Sequence, residues 1–307
     1  MRYALAAVLA ISSVFSLAQT PVQRPRLPGI AHVAFRVSDV AKTVAFYQDL
    51  LGYQEPFSLD SGNGKSAISF MKVNDLQYIE LFPGDARSQG QLDHFALYTN
   101  DLAAMRTYLL AQGIQIAEDT HRGRIGNYFF AIRDPDGHPI EIEQYSTTSL
   151  TSRAKGRFMP ASRISDHIAH VGILVSSVGS SMRFYRDILG FREFARGAGT
   201  NGQPGWINLE IPDGSDYIEL IPFTGVPSPA DLRAQTHFSL LSANLQQTVA
   251  TLQSRANTGL LSSSLSVETS GNLPPRTNVF DPDGARIEIM ESITSAPSVT
   301  TASYPDQ

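Results

Sequence analysis

Two sets of four residues carry the side chains best able to do chemistry: His32, Glu80, His94 and Glu141, then His170, Glu219, His237 and Glu288. Each lies in a short apolar alternation, and alternation along a strand decides which side chains share a face. In the stretch from Ile30, Ala31, Val33, Phe35 and Val37 take one face, leaving His32, Ala34 and Arg36 on the other. Glu80 lies with Tyr78 and Phe82 opposite Ile79 and Leu81, and His94 lies with Tyr98 opposite Phe95 and Leu97. Glu141 and Glu143 oppose Ile140 and Ile142. The second set repeats this: His170 beside Val171, Glu219 between Ile218 and Leu220, His237 before Phe238, and Glu288 between Ile287 and Ile289. Two imidazoles and two carboxylates meeting on one concave face suit a borderline divalent metal (Zn, Mn, Fe, Co or Ni) with positions left for water or substrate. Without a cation the carboxylates would repel one another there. Glu143 reads either as a support behind a ligand or as a solvated neighbour, the second favoured, and His121, His138 and His167 have no partner at matching spacing.

The elements that must position these residues are legible from periodicity and punctuation. Strands are expected at Ile30–Val37, 67–73, 77–82, His94–Tyr98, 127–132 and 139–145. A helix capped by Ser38 or Asp39 buries Val40, Val44, Tyr47 and Leu51 and stops at Gly52. A second starts after Asn100 or Asp101, runs to Gln112 and stops at Gly113. Asp134-Pro135-Asp136-Gly137 is a turn. The second half repeats the order, with a helix from Val178 to Leu189 before Gly190 and another after Asn244.

The two halves are copies. The 26 residues from Ile30 and the 26 from Ile168 are half identical without a gap, and YIELFP is answered by YIELIP and DPDGHPIEIE by DPDGARIEIM. Four strand–helix–strands modules in two pairs, with helices on one face, make an α+β fold. The expected organisation is a signal peptide over 1–18, a linker over 19–28, a first domain over 29–146, a linker over 147–163, a second domain over 164–292 and a disordered tail over 293–307. Arg2 ahead of an apolar run ending in Ser16-Leu17-Ala18 suits cleavage after Ala18. That run is short of the ~20 residues a membrane span needs. The mature protein is therefore expected to be periplasmic or secreted, without membrane association, as a monomer or homodimer. A formal net charge of -5 without a basic run gives no reason to expect nucleic acid. The absence of cysteine excludes disulfides, a thiolate nucleophile and a cysteine metal site.

HVAFRVSDVAKTVAFYQDLLGY, YIEL, DHFALYTND and DPDGHPIEI, with their counterparts in the second half, resemble the vicinal oxygen chelate superfamily: glyoxalase I, extradiol dioxygenases, methylmalonyl-CoA epimerase and the bleomycin- and fosfomycin-resistance proteins. The resemblance covers nearly all the mature chain. It implies paired βαβββ modules around a cup, and a metal that chelates two adjacent oxygens of a small substrate. By the same resemblance both quartets are metal ligands, Glu141 or Glu288 is the carboxylate that leaves the metal to move a proton, and Arg36 contacts substrate; Tyr98, on the face of His94, is the other candidate for substrate contact. Some glyoxalases swap modules, so His32 and Glu80 could meet either His94 and Glu141 or His237 and Glu288. The ligand set favours glyoxalase-like lyase or isomerase chemistry. Leu174 replaces the arginine in the second half, Gly84 and Phe223 replace a glyoxalase asparagine, and export argues against a glutathione hemithioacetal. A ring-cleaving dioxygenase is the first alternative, although the tyrosine expected after His121 reads Ala131, with Tyr128 earlier. A small-molecule binder of the bleomycin-resistance type is the second.

Overall fold

A computed structural model describes residues 22–60, 67–84, 91–199, 204–256, 265–269 and 273–292. The signal sequence, the 293–307 tail and the start of the first linker lie outside the described residues. In the first half the strands are β1 (Gly29–Val37), β2 (Gln54–Asp60), β3 (Ala67–Lys72), β4 (Tyr78–Pro83), β5 (Gln91–Tyr98), β6 (His121–Arg122), β7 (Tyr128–Arg133) and β8 (Pro139–Gln144). They form one sheet in the order β2-β3-β4-β1-β5-β8-β7-β6. The second half holds β9 (Ile168–Val175), β10 (Arg192–Ala198), β11 (Pro204–Glu210), β12 (Tyr217–Pro222), β13 (His237–Ser242), β14 (Arg276–Phe280) and β15 (Arg286–Glu291), in the order β10-β11-β12-β9-β13-β15-β14. Each sheet thus joins two modules of its own half through the antiparallel β1–β5 or β9–β13 pair. Within a module, the first strand runs parallel to the last. Two sheet-dominated α+β units result.

The helices form where the caps and stripes place them. Helix α1 (Val40–Ala45) is capped by Asp39, which accepts from Lys42 N, and α2 (Leu102–Ala111) by Asp101, which accepts from Ala104 N. Such a cap stabilises a helix by about 1 kcal/mol. A π-helical turn, Phe46–Leu50, extends α1, and another, Arg183–Ile188, extends α4 (Val178–Met182). Both π turns bring a tyrosine, Tyr47 or Tyr185, fully into the core. The stops at Gly52, Gly113 and Gly190 have φ of +78, +79 and +80°, where a Cβ would be strained. Between the halves, α3 (Leu150–Arg153) buries Thr151 and precedes the buried Ala154. Buried Lys72 ties it down by donating to Ala154 O at 2.5 Å and to Asp75. Helices α5 (Pro229–Gln235) and α6 (Leu245–Arg255) complete the second half.

The apolar strand faces and the helices merge into a single core running through both halves, with Phe35 against Phe238 at 5.6 Å. Reciprocal contacts close the interface: Ser38 N donates to Asp283 and Ser176 N to Asp136. Buried Tyr185 donates to Asp134 at 3.0 Å, so the Asp-Pro-Asp-Gly turn also receives a side chain from the other half. With the helix-facing sides joined, the His and Glu side chains lie on the opposite face of each sheet, most of them buried there.

Candidate metal centre

The cup face of the first half is built from neighbouring strands. Register sets Glu80 and His94 on either side of Ala34, and His32 level with Ala96, which in turn faces Glu141. Nε2 of His32 and Nε2 of His94 are 3.1 Å apart. A Glu141 carboxylate oxygen lies 3.6 Å from the first and the other 3.7 Å from the second. His170 and His237 repeat the arrangement with Nε2 atoms 3.0 Å apart and Glu288 at 3.6 Å from His170. Glu219 stands 3.3 Å from His237 Nε2 and 4.0 Å from His170 Nε2. Both pairings are therefore within a half, which resolves the module-swapping alternative for this chain. His32, His94 and Glu141 form one compact donor group; His170, His237 and Glu288 form the other.

These donor sets fit a divalent metal. Two ligand atoms each ~2.1 Å from one ion lie at most ~4.2 Å apart, and every separation just given is within that limit. The tautomers point the same way. His94 Nδ1 bonds Asp93 at 2.8 Å and His32 Nδ1 bonds Glu143 at 3.1 Å, so with a metal present each Nδ1 would keep its proton and each Nε2, its own proton displaced, would offer a lone pair. His237 Nδ1 donates to Gln235 O at 2.8 Å with the same effect. Lone pairs and carboxylates turned toward one point attract a cation.

Glu80, expected as the fourth donor of the first half, is placed elsewhere. It lies 3.6 Å from Nδ1 of His32, the nitrogen turned away from His94. There it shares a small enclosed cleft with Glu143, Phe70, Tyr78 and Ile125. Burial pushes Glu80 up to about 7, against the pull of His32 and His94. A glycine explains the difference between halves. A Cβ on Gly172 would come within 2.2 Å of the His237 ring, so the ring occupies space that the methyl group of Ala34 takes in the first half.

The groups behind the imidazoles also differ. Burial would lower the His32 imidazole, but Glu80, Glu143 and Glu141 outweigh it and push it up to about 10. His170 has Glu288 and Glu219 near its Nε2, but its Nδ1 is buried without a hydrogen-bond partner among the described residues, and its ring stacks on Tyr217 at 4.3 Å. Burial takes it down to about 4 against the pull of Glu288 and Glu219, with His237 and Arg286 adding to the lowering. Glu219 is raised by burial but held down to about 2 by the hydrogen bond and charge of His237, with His170 and Arg286 adding to the pull. Glu288 is gripped by Arg286 at 3.2 Å and faces Arg276 at 3.6 Å, both on Oε2. Glu141 has Pro139 in the place of that arginine, and its side chain stays 21% exposed.

Several contributors escaped the sequence pattern. Glu143, for which the pattern favours a solvated place over one behind a ligand, is 4% exposed and holds His32 while accepting from Asn127 at 2.6 Å. Its signal was the neighbouring Asn127, which alternation alone does not connect to it. Asp93 should face away from His94, but a β-bulge intervenes: Ala34 pairs with His94 and Phe35 with Leu92, leaving Asp93 as the extra residue. Asp93 reaches His94 Nδ1 and is itself held by Arg36 at 2.6 Å. Burial raises Asp93, yet His94 and Arg36 bring it down to about 2. Arg36, expected at substrate, thus also orients a histidine, with its guanidinium 5.2 Å over Phe82. Tyr98 packs against the Tyr145 ring at 5.6 Å and pairs in register with Glu143. His121 is exposed, packed on Phe129; Tyr128 is exposed beneath Arg122; Ala131 faces Glu141. His138 pairs with Asp134 and His167 with Asp216, as structural histidines do.

Residues 29–142 and 167–289 both match the Glyoxalase/Bleomycin resistance protein/Dioxygenase superfamily. Among curated relatives, Metapyrocatechase 2 of Cupriavidus necator is 26% identical over 191 residues, covering 57% of this chain and 56% of that protein. The chain thus spans about half the length of that relative. Among solved structures, the 2,3-dioxygenase LapB from Pseudomonas sp. KL28 superposes with a TM-score of 0.65 at 15% identity, covering 88% of this chain and 94% of LapB. The Mn(II)-bound glyoxalase from Novosphingobium aromaticivorans gives 0.64 at 19% identity, covering 87% and 82%. At these identities the two structures speak to the fold.

Proposed function

The chain belongs to the glyoxalase/bleomycin resistance protein/dioxygenase superfamily, and from that membership we propose a divalent-metal-dependent enzyme of glyoxalase-like lyase or isomerase type. Its substrate is a small molecule with two adjacent oxygens. The observation that carries this reading is the convergence of two imidazole Nε2 atoms and a glutamate in each half. His32, His94 and Glu141 would hold one metal; His170, His237, Glu288 and Glu219 would hold the other. A metal bound there supplies Lewis-acid polarisation of a carbonyl or enediolate oxygen.

The protein's own residues then divide the work. Asp93 and Glu143 keep His94 and His32 in the tautomer that offers Nε2. Glu141, with no arginine on it among the described residues and part of its surface open, is the carboxylate free to carry a proton between adjacent carbons. Glu288 is tethered by arginine and serves better as a fixed ligand. Arg36 and Tyr98 remain our candidates for substrate contact in the first half, and export remains our reading of the first 18 residues.

A second reading, an extradiol-type ring-cleaving dioxygenase, is favoured by one observation: two histidines and one carboxylate form the set typical of non-haem iron oxygenases. One experiment separates them. Metal content is measured on the purified chain, followed by isomerisation of an α-hydroxy-carbonyl or hemithioacetal without oxygen, and by oxygen uptake with catechol. Isomerisation supported by Zn, Ni, Co or Mn upholds the first reading. Iron with catechol-dependent oxygen uptake replaces it by the second, and a chain that binds no stoichiometric metal ends both.

A further inference from the structure

On the first half, the tip of the β6–β7 hairpin and the segment joining the halves enclose a groove of about 320 Å³. Arg122, Arg124 and Arg153 line it together with Thr148 and Ile125, and no acidic side chain does. This is a concentration of charge in an otherwise acidic chain. Residues 121–126 and 146–163 contain Arg122, Arg124, Arg153, Lys155, Arg157 and Arg163 and no Asp or Glu, while the whole chain has a formal net charge of -5. Like charges gathered in a concave site repel unless an anion joins them.

The groove is also preformed. Arg122 donates from Nε to Gly126 O at 3.1 Å and from Nη2 to Thr148 Oγ1 at 2.9 Å, and its guanidinium lies 6.0 Å over the Tyr128 ring. A guanidinium carries five N–H groups, so most of them are still available. The two walls are bonded together by Leu150 N donating to Ile125 O at 2.8 Å. Gly126 sits at φ +97°, its hydrogen facing Ser149 where a Cβ would come within 3.0 Å. Arg124 and Arg153 project from these fixed walls, exposed, and neither takes part in an ion pair among the described residues. Ile125 lines both this groove and the enclosed cleft behind His32.

We propose that the groove is an anion-binding site for a carboxylate or phosphate group, held by the guanidinium groups of Arg122, Arg124 and Arg153. Planar guanidinium forks match both oxyanions bidentately, and fixed walls limit the ordering cost of binding. Such a group could belong to the acidic end of a molecule bound at the first metal centre or to a separate small anion. The site stands on the groove alone and does not require the metal reading.

The test uses the full metal-loaded chain and inorganic phosphate, followed by titration calorimetry at low ionic strength. The wild type should bind phosphate saturably, and Arg124→Gln/Arg153→Gln should weaken it roughly tenfold or more. Arg122 is left intact because it holds the loop, and an unchanged melting temperature and metal content show that the variant is folded. No saturable binding, or equal binding by the variant, overturns the proposal. A second arm compares catechol with a carboxylate-bearing catechol as competitors. Phosphate weakening only the carboxylated ligand assigns the groove to the acidic end of a bound molecule, and phosphate affecting neither assigns it to a separate anion; both results uphold the site.

Discussion

In the first half, His32 is backed at Nδ1 by Glu143 with Glu80 close by, and only Glu141 stands against the Nε2 side. In the second, His170 has nothing bonded at Nδ1 among the described residues, while Glu219 and Glu288 both stand on the Nε2 side. The same four ligand-type residues at equivalent positions therefore make two different centres. The divergence lies in residues that are not ligands. Glu143 corresponds to Met290, Asp93 to Thr236, Ala34 to Gly172 and Pro139 to Arg286. One half puts carboxylates behind its histidines, which raises their strength as ligands. The other puts an additional carboxylate among the donors themselves and pins the last one with arginine. Repeating a chain thus allowed one copy to keep a movable carboxylate and the other one pinned by arginine.

The comparison breaks first on the histidines. His32→Ala and His170→Ala should each remove the metal of its own half, weakening it more than about a hundredfold, and leave the other in place. Metal stoichiometry by mass spectrometry checks this; loss of both metals from one substitution would mean that the centres are not independent. The sharper contrast is between carboxylates. Glu219→Gln should weaken the second metal by about a hundredfold and Glu80→Gln the first by less than about threefold, because Glu80 faces the wrong nitrogen. Equal losses in a chelator competition would show that Glu80 swings round to the metal. Asp93→Asn should lower first-half affinity about tenfold by weakening the grip on His94 Nδ1, with no effect on the second half.

The smallest expected effect concerns the interface. Tyr185 bonds Asp134, which also holds His138, whereas Asp281 has Ala285 in the place of that histidine, and its Oδ2 and Tyr47 Oη are both buried without a bond among the described residues. Burial pushes Asp281 up to about 7 in the folded chain. A carboxyl raised by folding binds its proton more tightly in the native state, so stability falls as pH rises from about 4 to about 7. Asp281→Asn removes that loss and keeps an oxygen for the Asp283 and Ala285 N–H groups. It should stabilise the chain at pH 8 by on the order of 1–3 kcal/mol and much less at pH 4. Asp134→Asn should destabilise it at both. Urea denaturation at the two pH values decides, and a pH-independent effect of Asp281→Asn would dismiss the argument.

Much of the fold could be read from local pattern. Caps at Asp39 and Asp101, stops at Gly52 and Gly113, and the strand holding each ligand-type residue follow from interactions within a few residues. Strand β2, the π turns at Tyr47 and Tyr185 and the short α3 were not legible. Their stability comes from partners far along the chain: β2 from pairing with β3, the π turns from the shared core, and α3 from Lys72.

The sequence by itself determined the twofold repeat, the eight His and Glu positions and the face on which each lies, because strand alternation has a strict period of two. Only the tertiary structure decided that β1 bonds β5 rather than a strand of the other half, so that His32 meets His94. It also decided that a bulge turns Asp93 back onto His94, that Glu143 is buried, and that Glu80 falls behind His32 instead of joining the donors. Those outcomes depend on which ladders form and on whether a methyl or a hydrogen occupies the strand beside a ring. Alternation along one strand carries no information about either.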